Sequence, residues 1–390
     1  MDQVDDLFIA GQVSSQDIIR TAYVDCRAGN AVDTLVSDLG VADLSLVILF
    51  LSPNTDLETF LVEAKQQFAP AKVVGCTTAG EIGPDGYTED KVIAIGLPSS
   101  HFAATTMLIE DLHDLQPQAM IADMIRNRNK LATQNPNWSS EFAMLLVDGL
   151  STREDALTSE LSVGLGPVPL FGGSAGDGAS FGTTRIIQDG RLYENAAVLV
   201  QFRSDCPIKV FKTDHLTPTD RRMVVTGANP DKRLVHEINA EPAAREYARI
   251  LGKDPEQLST FTFAAHPVVV RIGEQTHVRA IQRVAENGDL VFFSAIDEGV
   301  VLNLAESENM ISHLQRELSA LEDPVAPDMI LGCDCVLRRV EAAQRQFTTG
   351  ISELLSRHKV VGFSTYGEQV NSMHVNQTLT GVAIYPPPED

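Results

Sequence analysis

One unit occurs three times in this chain, and that repetition constrains the fold more than any other feature of the sequence. The first copy opens on LVILFLS (Leu46–Ser52), a short apolar run stopped by Pro53 that reads as a buried strand. DLETFLVEAKQQFA follows with Leu57, Phe60, Leu61 and Ala64 at helical spacing. AKVVGCTTAGEIG (Ala71–Gly83) then runs from a strand into a glycine-bearing turn, and KVIAIGL (Lys91–Leu97) closes the unit as another strand. The second copy is Phe142–Ser151, a helix over Glu154–Leu165, Pro169–Ala179 and Ala196–Phe202. The third is Met329–Cys335, a helix through Arg338–Ser356, Lys359–Glu368 and Thr378–Tyr385.

A β-α-β-turn-β unit repeated in this way predicts an α/β fold: two lobes of mixed β-sheet flanked by helices. The turns align as Thr77-Thr-Ala-Gly80-Glu81, Gly173-Ser-Ala-Gly176-Asp177 and Ser364-Thr-Tyr-Gly367-Glu368. Each glycine permits φ > 0 or a close backbone approach. The carboxylate after it can accept bonds from the turn itself. Three such turns at a common edge would line one mouth, where ligands of α/β sheets tend to sit.

Between the second and third copies, Thr217–Arg233 is rich in turn formers and charge and predicts a domain boundary, giving domains 1–225 and 226–390. Beyond it a strand and helix are expected in LVHEINAEPAAREYARILG, with Gly252 as the stop. Antiparallel strands are expected at Phe261–Val270, Val278–Val284 and Leu290–Phe293, and a helix over Glu306–Leu321.

Composition excludes several partners. Thirty basic against 53 acidic residues among 390 give a net charge of −23, which opposes binding to nucleic acid or an anionic membrane. The acidic N-terminus is unlike a secretory signal, and the apolar run around Leu44–Leu51 is far short of a bilayer span. Five sparse cysteines suit a reducing compartment, so a cytoplasmic location is expected.

Few motifs carry chemistry. Gly172-Gly-Ser174-Ala-Gly176 matches a nucleophile elbow literally, but the glycine-rich residues after it cannot sustain the helix an elbow requires. Neither Ser174 nor Cys76 has a base at motif spacing, so the protein is not expected to be an enzyme. Gly176-Asp-Gly178 lacks the rest of a dinucleotide fingerprint, and no P-loop occurs. Ser151-Thr-Arg-Glu154 fits a helix capping box. Cys333-Asp-Cys335 reads as structural thiols, with no further zinc ligands at familiar spacing. Among nine histidines three stand out: His374 between the third turn and its closing strand, His266 in the apolar FAAHPVVV, and His236 in LVHEINAEP.

GCTTAGEIG, DGLS with PLFGGSAGDG, EINAEPA with Tyr247, VVGFSTYGE and HVNQT together resemble the FIST domain family, over roughly residues 30–385. The resemblance implies signal transduction through small-ligand sensing by paired N- and C-terminal FIST domains. A stand-alone chain of this size is similar to the nitric-oxide-sensing haem members of NosP type. Such proteins bind b-type haem and modulate a partner histidine kinase in a two-component system. On that expectation His374, His236 or His266 is the axial ligand, in that order. Arg271, Arg279 or Arg338 would pair with the propionates. A homodimer is left open. The alternative is a haem-free sensor of an amino-acid-like metabolite. There the turn amides would bind a carboxylate, and Glu81, Asp177 or Glu368 an ammonium group.

Overall fold

Apolar runs as continuous as those opening the three copies cannot belong to one-faced strands. In the computed structural model, which describes residues 18–273 and 275–388, each becomes a central strand buried on both faces. The repeat is longer than the sequence pattern indicated. Its first copy comprises β1 (Arg20–Asp25), α1 (Ala31–Leu39), β2 (Leu44–Leu51), α2 (Leu57–Gln67), β3 (Lys72–Thr77), the hairpin β4 (Glu81–Gly83) and β5 (Gly86–Thr88), and β6 (Lys91–Pro98). The second has the same order. It comprises β7 (Phe102–Ile109), α3 (Pro117–Gln134), β8 (Ser140–Val147), α4 (Glu154–Leu165), β9 (Leu170–Ser174), the hairpin β10 (Ile186–Gln188) and β11 (Arg191–Tyr193), and β12 (Ala197–Ser204).

The third copy opens with β13 (Ile208–Thr213) and is then interrupted by a second lobe. That lobe contains β14 (Leu216–Asn229), β15 (Leu234–Ile238), β16 (Glu241–Pro242), α5 (Ala243–Leu251), α6 (Thr260–Ala265), β17 (Val268–Ile272), β18 (Gln275–Arg279), β19 (Ile281–Val284), β20 (Leu290–Phe292) and β21 (Val301–Ser307). The repeat resumes with α7 (Met310–Ser319), β22 (Met329–Cys335), α8 (Val336–Gln344), α9 (Thr348–Arg357), β23 (Val360–Thr365), the hairpin β24 (Glu368–Val370) and β25 (Met373–Val375), and β26 (Leu379–Ile384).

Each copy builds one sheet and lends its hairpin to another. The sheet orders are β1-β6-β2-β3-β10-β11, β7-β12-β8-β9-β24-β25 and β13-β26-β22-β23-β4-β5. The first hairpin thus completes the third sheet, the second completes the first, and the third completes the second. Within each sheet the pair joined by a helical crossover is parallel (β2/β3, β8/β9, β22/β23) and the other ladders are antiparallel. Inner faces of all three sheets share one core that includes Phe50, Cys76, Met144, Phe171, Cys333 and Phe363. Outer faces are covered by α1 with α2, α3 with α4, and α7 with α9.

A glycine marks the same place in every parallel pair. Gly75 lies opposite Leu49, Gly172 opposite Leu145 and Gly362 opposite Gly332. A Cβ at any of the three would collide with the carbonyl oxygen of that partner. The small residue is dictated by close approach of two backbones.

The second lobe is an eight-stranded sheet ordered β18-β17-β21-β14-β15-β20-β19, with β16 on β15. Its core includes Val225, Tyr247, Phe263, Val270, Phe292 and Leu304. No helix among the described residues is long and apolar enough to cross a membrane.

Several local expectations give way to tertiary context. The polar segment Thr217–Arg233 is mostly strand β14 rather than turns: the exposed run Asp220–Arg222 leads into Met223 and Val225, which are buried on either side of the exposed Val224. Phe261–Ala265 is helical because Ser259 and Thr262 form a capping box, so the strand begins only at Val268. Glu306 is in β21, and the helix starts at Met310 with the Asn309 side chain accepting from the Ser312 amide. The helix expected through Arg338–Ser356 is broken in two near Gln346, where φ is 59°. Ser151 does not cap Glu154: its hydroxyl accepts from the Arg153 amide, and Glu154 reaches into the second lobe instead.

Candidate functional site

The three glycine turns meet, as their sequence similarity predicts, but they close on one another. The Ala79 amide donates to the Ser364 carbonyl (2.9 Å), Ser364 N to Gly80 O (2.7 Å), Gly176 N to Thr77 O (3.0 Å) and Ser174 N to Gly367 O (2.8 Å). Gly80 takes φ of +121°, whereas Gly176 is required by close contact with Ala79 and Gly367 by contact with His374.

The turn carboxylates are likewise committed. Glu81 accepts from the Thr78 hydroxyl and the Lys91 amide, and Glu368 from the Thr365 and Thr378 hydroxyls and the Thr378 amide. Each thereby clamps the start of a hairpin to its closing strand. In the second copy Asp148 fills that role, accepting from the Thr184 hydroxyl and the Asn195 amide. Asp177 accepts instead from the Tyr366 hydroxyl and the amides of Gly182 and Thr183. Burial raises Glu81 to about 7 and Glu368 to about 8. The hub is thus a self-satisfied junction, and the amides named above are not free to bind a carboxylate. Ser174 is fully buried, with its hydroxyl accepting from the Gln369 amide nitrogen.

The three highlighted histidines lie on separate elements. His374, in β25, is buried; its Nδ1 is 3.2 Å from Gln369 Nε2 and its Nε2 3.3 Å from the Phe293 carbonyl. A carbonyl only accepts and an amide nitrogen only donates, so these partners assign the neutral Nε2–H tautomer. Burial lowers the pKa of His374, which agrees. Both nitrogens of His374 are thus engaged by protein partners. His266 is half-buried just after α6, where burial, then Lys253 and Arg345, lower its pKa. His236, in β15, is half-exposed, with Nδ1 2.6 Å from the Asp289 carboxylate.

Two of the three highlighted arginines do come together. Arg271 and Arg279 line a half-open cleft of about 850 Å³ in the second lobe, walled by β14, β17, β18, β21 and the segment 295–300. Arg222, Asp220 and Asp297 line it too, beside Val269, Ile296 and Val301. Among the described residues none of the three cleft arginines has an ion pair. Arg271 Nε donates to the Gly273 carbonyl, and Arg279 Nη1 donates to the carbonyls of Val278 and His374 at 3.3 and 3.4 Å. Burial pushes the pKa of Arg279 down, and Asp155 opposes that shift. Arg338, the third highlighted arginine, lies outside this cleft: it is fully buried, with Nε 2.7 Å from Asp334 and Nη1 2.9 Å from His215. His215 in turn bonds Glu341 at 2.9 Å.

Arg222, Asp220 and Asp297 escaped the sequence reading. The apolar Met223–Val225 directly after Asp220–Arg222 was the available strand signal, and the turn-like composition around it masked it.

The cleft has room and cations for a haem's carboxylates, but among the described residues no histidine, cysteine, methionine or tyrosine lines it. An axially ligated haem does not fit this cleft with the residues present.

A three-copy α/β body with a closed hub, carrying an inserted sheet with an open, cation-lined cleft, defines the class by its fold. The chain belongs to the FIST family, a signal-transduction sensor family. The FIST N domain matches residues 45–241 and the FIST C domain residues 243–371. No curated protein matches the chain.

Proposed function

We propose that this FIST protein senses a small carboxylate-bearing metabolite in the second-lobe cleft and signals through its first lobe to a partner protein. One observation carries the reading: three arginines without ion pairs among the described residues line one cleft, in a chain of net charge −23. Arginine presents paired donors that match a carboxylate. Asp220 and Asp297 can meet an ammonium group, which favours an amino-acid-like ligand.

The route outward is also physical. Arg279 bonds the His374 carbonyl beside the hub. Cleft residue Ala295 donates its amide to Asp155 of α4 at 3.4 Å, and the neighbouring Phe293 carbonyl accepts from Arg233, which pairs with Glu154. A ligand that drew Arg279 or the 295–300 segment inward would act on the junction between the lobes. A cytoplasmic setting is supported by five free, buried cysteines.

Thermal-shift and calorimetric screens of amino acids and dicarboxylates, each against its amide, test the reading. Carboxylates should bind, and Arg222→Ala and Arg279→Ala should weaken them. Equal affinity in both variants overturns it.

A second reading keeps b-type haem, nitric oxide and a histidine kinase, and rests on His236. Asp289 holds its Nδ1, leaving Nε2 without a partner among the described residues on a half-exposed ring, an arrangement common to metal-binding imidazoles. Haem titration decides: a Soret shift lost in His236→Ala supports this reading, and an unchanged spectrum in that variant removes it.

A further inference from the structure

The two connections that join successive repeats carry a donor set unrelated to the cleft. His101 lies in the turn from β6 to β7, between the first and second copies; Asp205 and Cys206 lie between β12 and β13, joining the second to the third. One ligand atom from each of the three residues falls within 4.8 Å of the others, and His101 Nδ1 is 3.1 Å from both Asp205 oxygens. We propose that His101, Asp205 and Cys206 bind a thiolate-seeking divalent cation, zinc above all, which clips the two connections together.

The chemistry matches. Bonds of about 2.0–2.3 Å in a tetrahedron set donors about 3.3–3.8 Å apart, so the three need close in by only about 1 Å. A neutral imidazole, a carboxylate and a thiolate balance the two positive charges. The backbone is already fixed around them: the Ser204 hydroxyl donates to the His101 carbonyl (2.7 Å) and accepts from the Cys206 amide (3.0 Å). His101 and Asp205 are partly exposed, leaving water room for the fourth position. When the metal–sulfur bond forms, the thiol proton of the buried Cys206 passes to solvent.

Cobalt(II) added to the reduced, full-length chain provides the test. A single equivalent should produce a thiolate-to-cobalt charge-transfer band that zinc displaces and that Cys206→Ser abolishes. His101→Ala, in an exposed turn, should weaken cobalt binding roughly tenfold or more. Absence of the band in the parent chain, its survival in Cys206→Ser, or unchanged affinity in His101→Ala each overturns the proposal. The histidine variant keeps the test decisive should the cysteine variant fail to fold.

Discussion

Arg233 and Glu154 form a buried ion pair across the boundary between the two lobes. Glu154 is the first residue of α4, where negative charge complements the helix N-terminus. Arg233 takes a left-handed backbone (φ 55°) and also donates to the Phe293 carbonyl, beside the loop that walls the cleft. The pair therefore joins the second repeat to the candidate ligand site.

Removing Arg233 strands the buried Glu154 carboxylate, whereas removing Glu154 leaves Arg233 with Asp155 at 3.6 Å. Arg233→Ala should destabilise the protein by about 3–5 kcal/mol in urea unfolding, and Glu154→Ala by less. The Glu154→Ala/Arg233→Ala double variant should lose clearly less than the sum of the singles, because neither charge is then left alone. Additive losses would show that the pair is not coupled.

Arginines inside and outside the cleft should separate binding from stability. Arg271→Ala removes an exposed guanidinium and should leave the melting temperature almost unchanged, while weakening a carboxylate ligand by about 1.5–3 kcal/mol. Arg338→Ala should do the reverse. It leaves Asp334 buried without its partner, at about 3–5 kcal/mol of stability, and does not touch the cleft. Calorimetry paired with denaturation reads both.

Glu81 and Glu368 predict a pH dependence with a definite sign. Both start from 4.5, and folding raises them to about 7 and about 8. Between those limits the folded chain holds more protons than the unfolded one, so stability falls as pH rises. The contribution of these groups is full below 4.5 and is lost as pH passes through about 7 and about 8. Urea midpoints from about pH 5 to about pH 9 should decline less steeply in Glu368→Gln than in the parent. Parallel slopes would contradict the shift.

The glycines at the parallel crossings should tolerate no side chain. Gly362→Ala places a methyl group on the Gly332 carbonyl oxygen, and backbone rather than a movable side chain must yield. A loss of about 3 kcal/mol or more is expected, at the upper end for overpacking. Gly252→Ala is the control: its Cβ meets nothing, and only the left-handed φ of 69° opposes it, so about 1 kcal/mol should be lost. Equal losses would remove the close-approach explanation.

Much of the first lobe was legible because its signals are local. Apolar runs of strand length, helical spacing after them and a glycine before each turn are properties of neighbouring residues, and β2, α2, β8 and α4 lie close to where they were expected. The site was legible only in fragments. Arg271 and Arg279 meet in the cleft, but Arg222 reaches it because β14 pairs with β21 beyond a register shift that sets Arg222 opposite Asn303, and the two nitrogens of His374 meet Gln369 of β24 and the Phe293 carbonyl, more than eighty residues away.

By itself the sequence determined three copies of one α/β unit, the turns that join their strands, and family membership. Tertiary structure alone decided where the hairpins went. Three sheets with the same strand order offer three chemically similar edges, so the choice of partner is made by packing around the shared core. Tertiary structure also converted the turn carboxylates from a possible ligand shell into internal clamps: hydroxyls and amides brought within reach by folding satisfied them first, leaving the arginines of the inserted sheet without counter-ions among the described residues.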